Sequence, residues 1–235
     1  MQGYERYAIY YAPEAGSALG AFGNSWLGFD PQTGEKLSRP VDTNCTDTGL
    51  EKLTSDPARY GFHGTLKPPF ALHLDYSIFD LDQALQDLAQ ELAPIVTGPL
   101  SLKQIGQFLC LCPTTPFDGL NNLAAAIVQK LDHFRGVQSE EQLAKRRARG
   151  LSDRQEAYLQ QYGYPYVLEE FRFHLTLTNS LTKAQIELVK PFLEQMTEAL
   201  TMDAFKIREL CLFADPGKGQ PFELLKRYSL TGGRQ

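Results

Sequence analysis

At 235 residues, with 43% apolar and 22% charged side chains, the chain has the balance of a globular protein able to bury a sizeable core. A net charge of −5 and an isoelectric point near 5.4 argue against the basic surplus of proteins that coat long nucleic acid, and they leave room for a small anion in a locally basic cleft. No apolar run reaches the length of a membrane span, and the start lacks the pattern of a signal peptide, so a cytoplasmic protein with reduced cysteines is expected.

The apolar run 6–12, closed by Pro13, predicts a buried strand, and the small apolar stretch 14–28, with Trp26 near its end, predicts a helix weakened by glycines. Turn residues follow to Pro40, then a loop with a short helical turn over 41–58. A strand is expected at 60–66, with Pro68-Pro69 ending its regular pairing. Leu81, Leu85, Leu88 and Leu92 recur at helical spacing and predict a helix over about 80–93, capped by Asp80. Strands at 99–105 and 107–112 come next, then a helix at 119–134. The charged segment 138–162 carries the cluster Lys145–Arg149 and reads as helical. A strand at 170–178, a helix at 182–199 and strands at 204–213 and 222–230 complete the chain. Cys110-x-Cys112 lies on one strand face and reads as core packing, and the four cysteines have neither disulfide nor zinc spacing.

Two stretches stand out, Phe62-His63-Gly64-Thr65-Leu66 and Phe173-His174-Leu175-Thr176-Leu177. Side chains alternate along a strand, so His and Thr share one face while the flanking Phe and Leu take the other. Two of the four histidines fall in this setting, 111 positions apart. A single such His is ordinarily a structural residue; its recurrence with Thr in matching context is what points to chemistry. The order of elements also repeats, over about 6–105 and 107–213, with one extra strand at 222–230. The expectation is one α+β domain over 1–235, a duplicated bilobed fold in which two antiparallel sheets face a central cleft with helices outside.

Such a cleft suits acid–base work on a phosphodiester. One imidazole takes a proton from the attacking oxygen and the other gives one to the departing oxygen. The hydroxyls of Thr65 and Thr176 would donate to non-bridging oxygens. Strand alternation adds Lys67, Arg172 and Thr178 to the same face as phosphate-binding candidates, with Arg59 a further cation nearby. No His/Asp/Glu cluster has the spacing of a metal site, and no cofactor is expected.

Paired His-x-Thr strands in a duplicated α+β chain resemble the 2H phosphoesterase superfamily, which includes RNA 2′,3′-cyclic phosphodiesterases and ADP-ribose cyclic phosphate phosphodiesterases. The stretches from Arg59 to Phe70 and from Tyr164 to Thr178, with Trp26-Leu27-Gly28 and Gly150-Leu151, are similar to the DUF1045 branch, described as phosphonate-metabolism proteins from their gene neighbourhoods. The resemblance implies a metal-independent phosphoesterase with His63, Thr65, His174 and Thr176 in the cleft. It also suggests a small ribose-linked cyclic phosphodiester as substrate. The branch pattern favours a small residue such as Ala where this chain has Gly64. Two alternatives stand beside the enzyme: a module that binds phosphate or a nucleotide without turnover, and an RNA 2′,3′-cyclic phosphodiesterase or 2′–5′ ligase-like protein.

Overall fold

The computed structural model describes residues 3–40, 49–148 and 150–233. The residues 41–48 of the expected loop, with Cys45, and Arg149 of the basic cluster lie outside the described residues.

The chain forms β1 (Arg6–Tyr11), α1 (Ala18–Leu27), α2 (Leu50–Tyr60), β2 (Gly64–Phe70), α3 (Ile78–Glu91), β3 (Ile95–Val96), β4 (Leu100–Ile105) and β5 (Phe108–Pro113). There follow α4 (Asp118–Lys130), α5 (Glu140–Arg147), α6 (Asp153–Tyr162), β6 (Leu175–Thr176), α7 (Lys183–Thr197), β7 (Lys206–Ile207), β8 (Glu209–Asp215) and β9 (Glu223–Ser229). Four of the helix starts are capping boxes. Ser77, Ser139, Ser152 and Thr182 each accept from a backbone N–H three residues on, while the N3 side chain reaches back to the cap. Asp80 is therefore the reciprocal N3 partner of Ser77, one turn inside the helix.

Seven strands pair antiparallel in the order β4-β5-β6-β2-β1-β8-β9, and β3 pairs with β7 in a separate ribbon. The two sheets expected from the repeat are thus the wings of one continuous sheet, joined where β2 meets β6 at the single pair Gly64↔Leu175. Strand exchange ties the halves. The closing strand of the first half, β4, pairs with β5, and β8, from the end of the second, pairs with β1. Helices pack on one face over a core that includes Ile9, Trp26, Phe62, Leu66, Leu81, Leu85, Ile127, Leu175, Leu177 and Val189. The other face of β1 carries a smaller cluster of Ala8, Tyr10, Ala12, Cys211, Phe213 and Phe222.

β2 departs from expectation in a way that matters for the site. It starts at Gly64 and runs through Pro68-Pro69 to Phe70, which pairs with Tyr7. Irregularities on either side of Ile9 let the ladder skip residues: Ile9 pairs with Lys67 and Tyr10 with Thr65. A bulge of this kind breaks strict alternation, so neighbouring side chains need not keep their expected faces. β6 is only two residues long, where a strand over 170–178 was expected.

Candidate active site

The joint between the wings builds the site. Gly64 and Leu175 are the central residues of the two His-x-Thr motifs, and they face each other in the antiparallel ladder. That register sets His63 across from Thr176 and Thr65 across from His174. All four line one cavity of about 410 Å³, with Arg6, Tyr10, Tyr60, Tyr164, Asn179 and Ser180 among its other walls.

α1 holds both motifs from behind. Its Gly23 forms a notch for Phe62, since a Cβ there would lie 1.8 Å from the Phe62 ring. One turn on, the fully buried Trp26 indole donates to Leu177 O at 2.7 Å. Gly64 is required at the joint for a similar reason: a Cβ there would lie 2.4 Å from the Phe173 Cζ. An alanine would not fit without displacing the ring.

The two imidazoles are oriented by the same backbone device. His63 Nδ1 lies 2.8 Å from Gly61 O, and His174 Nδ1 lies 2.7 Å from Arg172 O. A carbonyl only accepts, so each Nδ1 carries the hydrogen, and each neutral ring keeps its lone pair on Nε2. Thr65 Oγ1 sits 3.2 Å from His63 Nε2 and donates to it. Burial lowers both histidines. His63 is pushed down to about 4 by burial, opposed by the Gly61 bond and aided by His174. His174 is lowered by burial against the pull of Arg172 O.

The structure sorts the other candidates. Lys67 leaves the cleft: it is 2% exposed, its Nζ reaches Asp132 at 3.1 Å and Val128 O at 3.4 Å, and it lies over Phe70. The ladder irregularity explains this correction, because it places Lys67 beside the core residue Ile9. Thr178 borders the cavity, but its hydroxyl accepts from Leu109 N and donates to Asn179 O, so it closes the β5 edge and holds no hydrogen for a phosphoryl oxygen. Arg172 is exposed and contributes its carbonyl to His174 and its side chain to the rim of a neighbouring hollow. The Arg59 guanidinium lies over Tyr60, 3.5 Å from Asp215, and is not among the cavity walls.

Sequence reasoning missed Tyr10 and Arg6. The Tyr10 ring stacks on His63 at 3.8 Å between centroids, inclined by 20°. The only signal for it was that β1 is apolar on both faces, which requires a second packing surface. Arg6 lines the cavity with its guanidinium held on Asp215. Among the described residues no group of three or more His, Cys, Asp or Glu is arranged to hold a metal ion, and no helix is long and apolar enough to cross a membrane.

The model of a family described as "Protein of unknown function (DUF1045)" matches residues 65–223. A protein of Janthinobacterium sp. (strain Marseille) named "Ribose 1,5-bisphosphate phosphokinase PhnN" is 33% identical over 231 residues, covering 97% of this chain and 51% of that protein. One of the same name from Laribacter hongkongensis (strain HLHK9) is 30% identical over 224 residues, covering 94% and 51%. The chain thus spans about half the length of the curated relatives it matches. Among solved structures, E. coli LigT in apo form is 18% identical with a TM-score of 0.44, covering 97% of this chain and 98% of that one. E. coli LigT complexed with 3′-AMP is 16% identical with a TM-score of 0.43, covering 97% and 99%.

Proposed function

The chain belongs to the DUF1045 family, and on that premise we propose that it is a phosphoesterase that opens a small ribose-linked cyclic phosphodiester by paired-histidine catalysis. One observation carries the reading: two His-x-Thr motifs meet at their central residues, and all four polar side chains line one cavity.

His63 is the general base. Its low proton affinity keeps Nε2 unprotonated at neutral pH, ready to take a proton from water as the water oxygen bonds to phosphorus. His174 is the general acid: as the less shifted of the two it is the first to be protonated as pH falls, and its imidazolium gives the Nε2 proton to the ribose oxygen as the P–O bond breaks. Thr176 donates to a non-bridging oxygen, where charge grows, and Thr65 does so once its hydroxyl turns from His63 Nε2 to the substrate. The product is a ribose phosphate monoester with a freed hydroxyl, and solvent returns the proton from His63 to His174.

The relatives' name supports a ribose phosphate as product, since it describes a kinase acting on ribose 1,5-bisphosphate. This chain has no G-x-x-x-x-G-K-[S/T] phosphate loop. That supports reading it as the counterpart of the half of those proteins that makes such a compound, in phosphonate-related metabolism. A second reading rests on the hollow of about 560 Å³ beside His174, walled by Phe108, Tyr164, Tyr166 and Phe171. It suits a stacked base, and so a nucleoside 2′,3′-cyclic phosphate.

Ribose cyclic phosphates, nucleoside 2′,3′-cyclic phosphates and 2′–5′ dinucleotides, assayed with chelator, test both readings. Turnover should fall about 10²–10⁴-fold in His63→Ala and in His174→Ala. Full activity in either variant would sink the mechanism, and saturable binding without product in the wild type would leave only a binding module. The kcat/KM profile should be a bell with its acid limb near 4 and its alkaline limb below 6.5.

A further inference from the structure

A second cavity, of about 480 Å³, adjoins the histidine cleft and shares Arg6, Pro69 and Arg146 with it. Among the described residues its charged walls are Arg6, Lys145, Arg146 and Glu5. The cations come from separate elements, β1 and the last turn of α5.

Arg6 is held on the fully buried Asp215, which Arg59 also approaches, so two guanidinium groups share one carboxylate and the trio stays net positive. The Arg146 guanidinium lies 4.7 Å over the Tyr164 ring, and both residues also wall the histidine cleft. Lys145 pairs with Glu141 at 2.8 Å, but both side chains are more than 70% exposed, and a phosphate can displace so weak a pair. Gln142 accepts from Ser139 N at 3.1 Å through Oε1, which leaves its Nε2 hydrogens to donate.

We propose that this cavity is a second anion subsite, which takes a terminal phosphate monoester carried by the same substrate whose diester lies between His63 and His174. The diester half of this statement rests on the function proposed above; the subsite itself rests on the cationic cavity. A monoester dianion offers three terminal oxygens, which suits guanidinium, ammonium and amide donors converging from different elements. The substrate class is therefore a sugar cyclic phosphodiester bearing a remote phosphate, and its product a sugar bisphosphate. Arg6 is unsuitable for the test, because its removal takes the closest partner from a buried carboxylate.

The decisive measurement compares ribose 1,2-cyclic phosphate with and without a 5-phosphate, on the wild type and on the double variant Lys145→Gln/Arg146→Gln. The wild type should favour the 5-phosphorylated compound by at least about tenfold in kcat/KM, as charged hydrogen bonds to a phosphate imply. That ratio should collapse toward unity in the variant. A folding defect lowers both rates and leaves the ratio where it was. No preference in the wild type, or an unchanged ratio in the variant, overturns the subsite. If the wild type opens neither diester, the phosphoesterase reading fails, and calorimetry with ribose 5-phosphate decides the subsite separately. Binding weakened at least tenfold in the variant supports it, and no binding to the wild type overturns it.

Discussion

The two half-sites share a backbone design and differ in what surrounds it. Each imidazole is turned by a bond from Nδ1 to the carbonyl two residues before it. Yet His63 is roofed by Tyr10 at 3.8 Å, with Tyr60 and Phe213 rings within 6.4 Å. His174 meets Phe108 at 5.6 Å and opens on the aromatic hollow. β2 is laced to β1 from Phe70 to Gly64, while β6 pairs over two residues. A near-symmetric constellation thus sits in an asymmetric medium, more closely packed by rings on one side and more open on the other. Two identical groups can be given opposite proton-transfer roles in this way, without a further charged residue.

The pH dependence of stability measures this asymmetry, and it is the largest effect expected. His63 titrates near 4 in the folded chain and near 6.5 when unfolded, so between these values the unfolded state binds the extra proton. Stability contributed at this position is full above pH 6.5 and falls as pH drops through the window, by about 3 kcal/mol at its lower end. Denaturant unfolding at pH 7 and pH 4.5 should therefore show a smaller acid loss in His63→Gln than in the wild type. The same comparison for His174→Gln should give a lesser difference. Equal differences for the two variants would erase the distinction between the half-sites.

Gly64→Ala attacks the joint that relates them. The added Cβ would meet the Phe173 ring at 2.4 Å, and that ring is confined between Tyr11 at 6.0 Å and Phe205 at 5.5 Å. Strain of this kind costs about 1–3 kcal/mol. Relief has to come from the β2–β6 pair, which moves His174 relative to His63, and a shift of that order lowers turnover by up to about 100-fold. Unfolding and kinetics on the one variant check both numbers. Normal turnover would mean that the joint does not set the distance between the histidines.

How much of this was legible in the sequence follows physical lines. Apolar periodicity located α3, α4 and α7, because helix burial is a local pattern that Leu81, Leu85 and Leu88 or Val189 and Leu193 display directly. The four residues of the two motifs were legible because the chain states them twice. Their meeting at Gly64 and Leu175 was not, since a one-pair joint between distant strands leaves no periodic trace. The stack of Tyr10 on His63 was hidden for the same reason. Lys67 was misplaced because alternation assumes an unbroken ladder, and the ladder skips beside Ile9. Pro68-Pro69 reads as an end to pairing, yet the ladder continues past both prolines to Phe70.

Lys67 and Thr178 occupy the same place in the two motifs, two residues beyond the threonine, and each has been absorbed into structure. Burial lowers the Lys67 amine and Asp132 opposes the shift, so its positive charge belongs to the contact between β2 and α4. Lys67→Met keeps most of the volume and removes the charge. Asp132 then retains Arg135, which holds it at 2.8 and 3.0 Å, so the full cost of an orphaned buried carboxylate is not incurred. The expected loss is about 1–2 kcal/mol of stability, with KM for the cyclic diester changed by less than about twofold. A KM raised tenfold at unchanged stability would return Lys67 to the cleft and with it a third positive charge on the phosphate. An unchanged KM beside lowered stability would leave Arg6 and Arg146 as the cations that the described residues bring to the walls of the cleft.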